Sequence, residues 1–173
     1  MNESESKPVL FHNTVHEPSS KNPTDRNVLI SILKTEYEFC QNIEDCHVFL
    51  NFFQPGSWQA VDDLYKAWEL KVPRVITINS IVGDWIYSPS HPARIDSIQS
   101  KAISLANSQL YWDGLNCTNL VLGDYEDGLH YGDSILHITD VINTLKYLIH
   151  QHIWIKEMTL MVGKNRREPK SQG

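Results

Sequence analysis

Arg74-Val75-Ile76-Thr77-Ile78-Asn79-Ser80 decides how the rest of the chain reads. Its β-branched residues suit a strand buried on both faces, and its polar end points outward at the carboxyl end. A loop rich in aromatics and proline follows, residues 84–92, and then a helical pattern to Trp112. One stripe of that helix carries Ile95, Ile98, Ala102, Leu105 and Ala106, which the spacing predicts to lie against the sheet. A second stripe carries Ser97, Lys101, Ser104 and Ser108. A strand that ends in Ser80, followed by a helix that turns Lys101 toward it, places both at the crevice beyond the strand ends of an open parallel sheet.

Pro8 to His12 reads as a short strand, and residues 13–23 carry turn chemistry. Thr24 or Asp25 can cap a helix in which Val28, Leu29, Ile32, Glu36 and Phe39 or Cys40 recur, which predicts a helix ending near Asn42. Residues 45–53 form the next apolar strand, closed by Gln54-Pro55-Gly56. Ser57 is the expected N-cap of an amphipathic helix carrying Val61, Leu64, Tyr65 and Trp68. Beyond Trp112, residues 115–122 read as a strand, residues 123–133 as an acidic loop, and residues 139–149 as a helix capped by Thr139 or Asp140. Glu157 to Val162 reads as a last strand. Strand and helix in alternation imply a three-layer α/β sandwich, with a mostly parallel sheet of about five strands and the Arg74 strand central.

The 173 residues fit a single domain, residues 1–173, with residues 1–7 and 164–173 expected to be loose tails. A formal charge of −6 leaves no electrostatic footprint for nucleic acid. Three cysteines, Cys40, Cys46 and Cys117, with no apolar run of membrane-spanning length, suit a reducing, cytoplasmic setting and no membrane. His150 with His152, and His12 with His16, have spacings open to a metal but lack a partnering carboxylate or thiol, so no metal is expected. Asp124, Glu126, Asp127 and Asp133 lack the spacing of a calcium loop.

The run Val75-Ile76-Thr77-Ile78-Asn79-Ser80-Ile81-Val82-Gly83, then Ser97-Ile98-Gln99-Ser100-Lys101-Ala102, resembles the second half of a short-chain dehydrogenase/reductase. There the active-site Ser ends one strand and a Tyr-x-x-x-Lys pair opens the next helix. The resemblance puts Ser80 on the family's Ser and Lys101 on its Lys. It puts Ser97 where the family has its Tyr, the proton donor and acceptor, and an aliphatic hydroxyl cannot take over that work near neutral pH. Tyr87, in the loop after Ser80, is a candidate replacement. Val48-Phe49-Leu50-Asn51 resembles the strand that leads into the family's Asn-rich turn, which implies a cofactor contact for Asn51 and for Lys101.

The family's opening strand, glycine-rich turn and helix N-terminus, which hold a dinucleotide pyrophosphate, have no counterpart motif: no G-x-x-x-G-x-G occurs anywhere. Only some forty residues precede the Val48 strand, so the resemblance implies a divergent, N-terminally truncated member. Two expectations follow. In one, the protein has lost dinucleotide binding and catalysis and acts by self-association or partner binding, with no cofactor. In the other, it is an NAD(P)-dependent oxidoreductase or sugar-nucleotide-modifying enzyme that uses Ser80 and Lys101. If Ile95, Ile98, Ala102 and Leu105 pack on the sheet, then Ile103, Leu110, Tyr111 and Trp112 lack cover, as do Tyr65, Ala67 and Trp68. That predicts a homodimer or tetramer through helices 57–70 and 93–112.

Overall fold

A computed structural model of the chain describes residues 6–13, 25–125 and 136–162. Most of the two tails and of the 123–133 loop, including Glu126, Asp127 and Asp133, lies outside the described residues, as do His16 and Thr24. Five strands form one parallel sheet in the order β1 (Leu10–His12), β2 (Val48–Phe52), β3 (Arg74–Ser80), β4 (Cys117–Leu122), β5 (Glu157–Leu160). Between them run α1 (Asp25–Leu33), α2 (Gln59–Glu69), α3 (Arg94–Trp112) and α4 (Ile138–Ile149). The fold is the expected α/β sandwich, and β3 is its centre: Val75 and Ile76 are wholly buried and Ile78 nearly so.

Side-chain alternation along each strand divides the core in two. Leu50, Ile76, Ile78 and Leu120 meet Leu29 and Leu33 of α1 and Val141 and Leu145 of α4. Phe49, Val75 and Cys117 meet Leu64 of α2 and Ile103 and Leu110 of α3. The strands succeed one another in a single direction across the sheet, so crossovers through opposite faces have opposite hands. For β1 the chain avoids the conflict. Leu10 N–H donates to the Glu38 carbonyl and Cys40 N–H to the Leu10 carbonyl, both at 2.9 Å. Residues 38–40 therefore extend the sheet on the edge away from β2, and α1 steps outward with the same hand as α2 and α3. The chain then returns under the start of β1 through a 3-10 turn, Ile43–Asp45, with His47 N–H donating to the Val9 carbonyl at 2.9 Å. The forty residues before β2 thus hold a strand, a helix and a short pairing return, with no glycine among them. β4–α4–β5 takes the other hand.

Several boundaries differ from the sequence expectation for identifiable reasons. α1 stops at Leu33 and not near Asn42, because Lys34 to Tyr37 wind into turns and residues 38–40 pair with β1. Glu36, Phe39 and Cys40 matched a helical period by coincidence. Ser57 Oγ accepts from Gln59 N–H at 3.1 Å, but Ser57 lies two residues ahead of the helix, whose flanking residue is Trp58. α4 opens at Ile138, so Thr139 and Asp140 lie inside its first turn.

The largest correction concerns α3. Ile95, Ile98 and Leu105 are exposed, and it is Ser97, Gln99, Ser100, Ile103, Ala106, Asn107 and Leu110 that are buried. Ile103 and Leu110, expected to lack cover, are 1% exposed, and Ala67 of α2 is wholly buried. The sheet explains the choice of face. Phe49, Val75 and Cys117 form one apolar row in register across β2, β3 and β4. Asn51, Thr77 and Asn119 form the next row on the same face, a polar one. α3 turns its apolar carboxyl half to the first row and its serine-bearing amino half to the second, because buried amides need hydrogen-bond partners more than they need isoleucines.

Candidate functional site

Asn79, Asn119, Ser100 and Ser104 form the floor of the site. Asn79 Nδ2 donates to the Ser100 carbonyl at 3.1 Å, to Ser104 Oγ at 3.3 Å and to Asn119 Oδ1 at 3.2 Å. Asn79 Oδ1 accepts from Ser100 Oγ at 2.8 Å and from Ser80 N–H at 2.8 Å. Asn119 Nδ2 donates to Ser104 Oγ at 2.9 Å. The end of β3 and the middle of β4 are thereby locked to α3 by mutually polarising bonds in a low-dielectric setting. Gly83 permits the closest approach: a Cβ there would stand 2.4 Å from Ser100 Oγ, which also donates to the Ser80 carbonyl at 2.9 Å.

Above this floor lies a cleft of about 330 Å³, lined by Ser80, Gly83, Asp84, Ser100, Lys101 and Glu157 among others. The structure therefore brings Ser80 and Lys101 to one crevice, as the sequence predicts. Each already has structural work. Ser80 Oγ accepts from Val82 N–H at 3.1 Å and caps the 3-10 turn Ile81–Asp84. Lys101 Nζ donates to Ser97 Oγ at 2.7 Å and to the Trp85 carbonyl. Ser97, 2% exposed, donates its own hydroxyl to the Trp85 carbonyl at 2.7 Å. The backbone of the 81–92 loop thus sits over the position where the resemblance puts a tyrosine.

Two predicted site residues stand apart from the cleft. Tyr87 packs its ring on His91, centroids 4.4 Å apart, and its carbonyl accepts from Arg94 Nη1 at 3.2 Å. It is not among the residues that line the crevice. Asn51 is wholly buried, with Nδ2 donating to the Ala60 carbonyl at 2.9 Å and to Thr77 Oγ1 at 3.2 Å. Its Oδ1 accepts from Asn13 Nδ2 at 3.0 Å, so a cofactor atom could meet it only by displacing these partners. Sequence reasoning put Ser104 on the stripe of Lys101 but missed Asn79, Asn119 and Ser100. Their signal was present: Asn51, Thr77, Asn79 and Asn119 are polar residues at alternate positions in otherwise apolar strands.

The thiols are not part of this chemistry. Burial pushes both Cys46 and Cys117 up to about 12, keeping them protonated, and Cys117 Sγ donates to the Asn107 carbonyl at 3.3 Å. Among the described residues no three His, Cys, Asp or Glu side chains come together as metal ligands, and no helix is long and apolar enough to cross a membrane. His150 Nε2 is bonded to the Tyr37 hydroxyl at 2.8 Å, which ties α4 to the turn after α1.

No family model matches the sequence, and no curated protein matches it. Solved structures do. An apo SCOR enzyme from Clostridium thermocellum is similar with a TM-score of 0.57 at 11% identity, over 90% of this chain and 90% of that one. An alcohol dehydrogenase from Thermococcus sibiricus, complexed with 5-hydroxy-NADP, has a TM-score of 0.56 at 12% identity, over 93% and 88% of the two chains. A short-chain dehydrogenase from Streptomyces avermitilis has a TM-score of 0.52 at 11% identity, over 91% and 89%. Identities this low speak to fold and not to activity. On that ground, and on its five-stranded parallel sheet flanked by helices, the chain has the Rossmann-like fold of the short-chain dehydrogenases.

Proposed function

We propose that this is a dehydrogenase-fold protein that has given up dinucleotide binding and catalysis and works by self-association through the outer face of α3 and α2. The observation that carries the reading is the exposed seam of α3. Ile95, Ile98, Ala102, Leu105, Gln109 and Trp112 follow a 3-4-3-4-3 spacing, the period of a helix–helix contact, and Leu105 and Trp112 are 72% and 74% exposed. Tyr65 and Trp58, on and beside α2, are exposed as well. A two-fold axis along this face would bury the seam against its own copy, giving a dimer or a tetramer built from dimers.

The cleft supports the loss of catalysis. Ser97 replaces the proton-transferring tyrosine and is sealed under the Trp85 carbonyl, Lys101 is bonded to the same carbonyl, and Asn51 has no free polar atom. As arranged, these residues do not fit the ribose and nicotinamide of a dinucleotide. Light scattering over a range of concentrations tests the reading: a mass of at least twice 19.9 kDa is expected, and a clean monomer at micromolar concentration would sink it.

A second reading keeps an enzyme, an NAD(P)-dependent oxidoreductase or sugar-nucleotide-modifying protein. One observation favours it: Ser80 and Lys101 share a crevice at the carboxyl end of a parallel sheet, where such folds bind ligands. Turnover of a nicotinamide cofactor, lost in Lys101→Ala but retained in Cys40→Ala, would select this reading over the first.

A further inference from the structure

We propose that the cavity at the opposite end of the sheet, where β3 and β4 begin, is a binding site for a neutral sugar ring. It encloses about 550 Å³, within the range of small-ligand pockets, and lies far from the Ser80 crevice in the fold. Trp68, Glu69, Lys71, Leu115, Asn116 and Trp154 are among its lining. Both indoles are held in place. Trp68 Nε1 donates to the Asp113 carbonyl at 3.4 Å, and Tyr111 meets Trp154 edge-on, centroids 6.0 Å apart, with its hydroxyl donating to the Trp154 carbonyl at 3.5 Å. Each nevertheless leaves nearly half its surface open, at 43% and 47%.

The second observation is Asn116. It is 8% exposed and borders the cavity, its backbone carbonyl accepts from Val75 N–H at 2.9 Å, and its side-chain amide has no hydrogen-bond partner among the described residues. Asn51, Asn79 and Asn119, the buried amides of the strands, are all bonded to protein groups, so the unbonded amide of Asn116 at the border of the cavity is available to a polar ligand.

The lining selects the ligand class by exclusion. An organic cation would suit the indole faces and Glu69 but is opposed by Lys71 on the same wall; a phosphate or carboxylate is opposed by Glu69. A wholly apolar ligand would leave the Asn116 amide unpaired. A pyranose meets each requirement. Its C–H face carries slight positive charge and stacks on the negative face of an indole, while its hydroxyls both donate and accept. They can give to Glu69, take from Lys71 and do both with Asn116.

The test is saturation-transfer NMR on the full chain with methyl glucoside and N-acetylglucosamine, beside choline and adenosine. Transfer to a saccharide is expected, stronger than to choline or adenosine. Trp154→Ala should weaken it about tenfold or more, and Asn116→Leu likewise, with circular dichroism and melting unchanged. Should Asn116→Leu fail to fold, Trp154→Ala decides alone, since Trp154 is half-exposed. Absence of transfer to either saccharide, preferential binding of choline or adenosine, or saccharide binding that survives Trp154→Ala would overturn the proposal. None of these outcomes depends on whether the Ser80 crevice binds a dinucleotide.

Discussion

Asn79 joins strand, helix and neighbouring strand through five hydrogen bonds, and removing its side chain leaves Asn119 Oδ1 without its donor in the interior and takes one of two acceptors from Ser100 Oγ. Asn79→Ala should therefore cost about 2–4 kcal/mol in urea denaturation, well above a surface substitution. A loss under about 0.5 kcal/mol would show that the network is not holding β3 to α3. Gly83→Ala asks about the same contact from the other side: its Cβ would overlap Ser100 Oγ at 2.4 Å, so the 81–84 turn must lift away and stability should fall. The buried thiols add a pH signature. Cys46 and Cys117 titrate near 12 in the folded chain but near about 8.5 once unfolded. Their contribution is intact below the unfolded value and is lost as pH rises from about 9 toward about 12, because only the unfolded state can release the protons. Replacing both by Ala should flatten that alkaline decline, and thiol reagents at neutral pH should modify half-buried Cys40 far faster than either.

α3 is where a sequence reading succeeds in finding an element and fails in orienting it. The stripe Ile95, Ile98, Ala102 and Leu105 was legible as a stripe, and nothing in its spacing says whether it meets a sheet or another helix. The deciding information sits on other strands, in Asn79 and Asn119, whose amides claim the serine-bearing face. The same logic explains β3, which was readable in full because both its faces are covered, and α1, whose end depends on a pairing with Leu10 some thirty residues away. The revised orientation makes opposite predictions for two residues of the same turn. Ile103→Glu buries an unpaired charge and should unfold the domain, whereas Leu105→Glu should leave a folded monomer. Ile78→Asp should behave like Ile103→Glu; a soluble, cooperatively folding Ile78→Asp chain would contradict the central placement of β3.

At the scale of the whole molecule, the fold was within reach of the sequence because strand–helix alternation and the run from Val75 to Ala102 point to the same architecture. The site was only half legible. Ser80 and Lys101 do meet at one crevice, but the bonds that occupy Lys101, Ser97 and Asn51 come from the Trp85 carbonyl, Ala60 and Asn13, groups whose positions no local pattern discloses. On the reading proposed above, the protein is a dehydrogenase fold without a dinucleotide. A pyrophosphate depends on helix N-terminal N–H groups presented by a glycine-bearing turn, and no glycine precedes Gly56. The most direct measurement is isothermal titration calorimetry of the full chain with NAD and with NADP. Heats indistinguishable from dilution are predicted for both; a saturable isotherm in the low micromolar range, on the order of −8 kcal/mol, would contradict the claim.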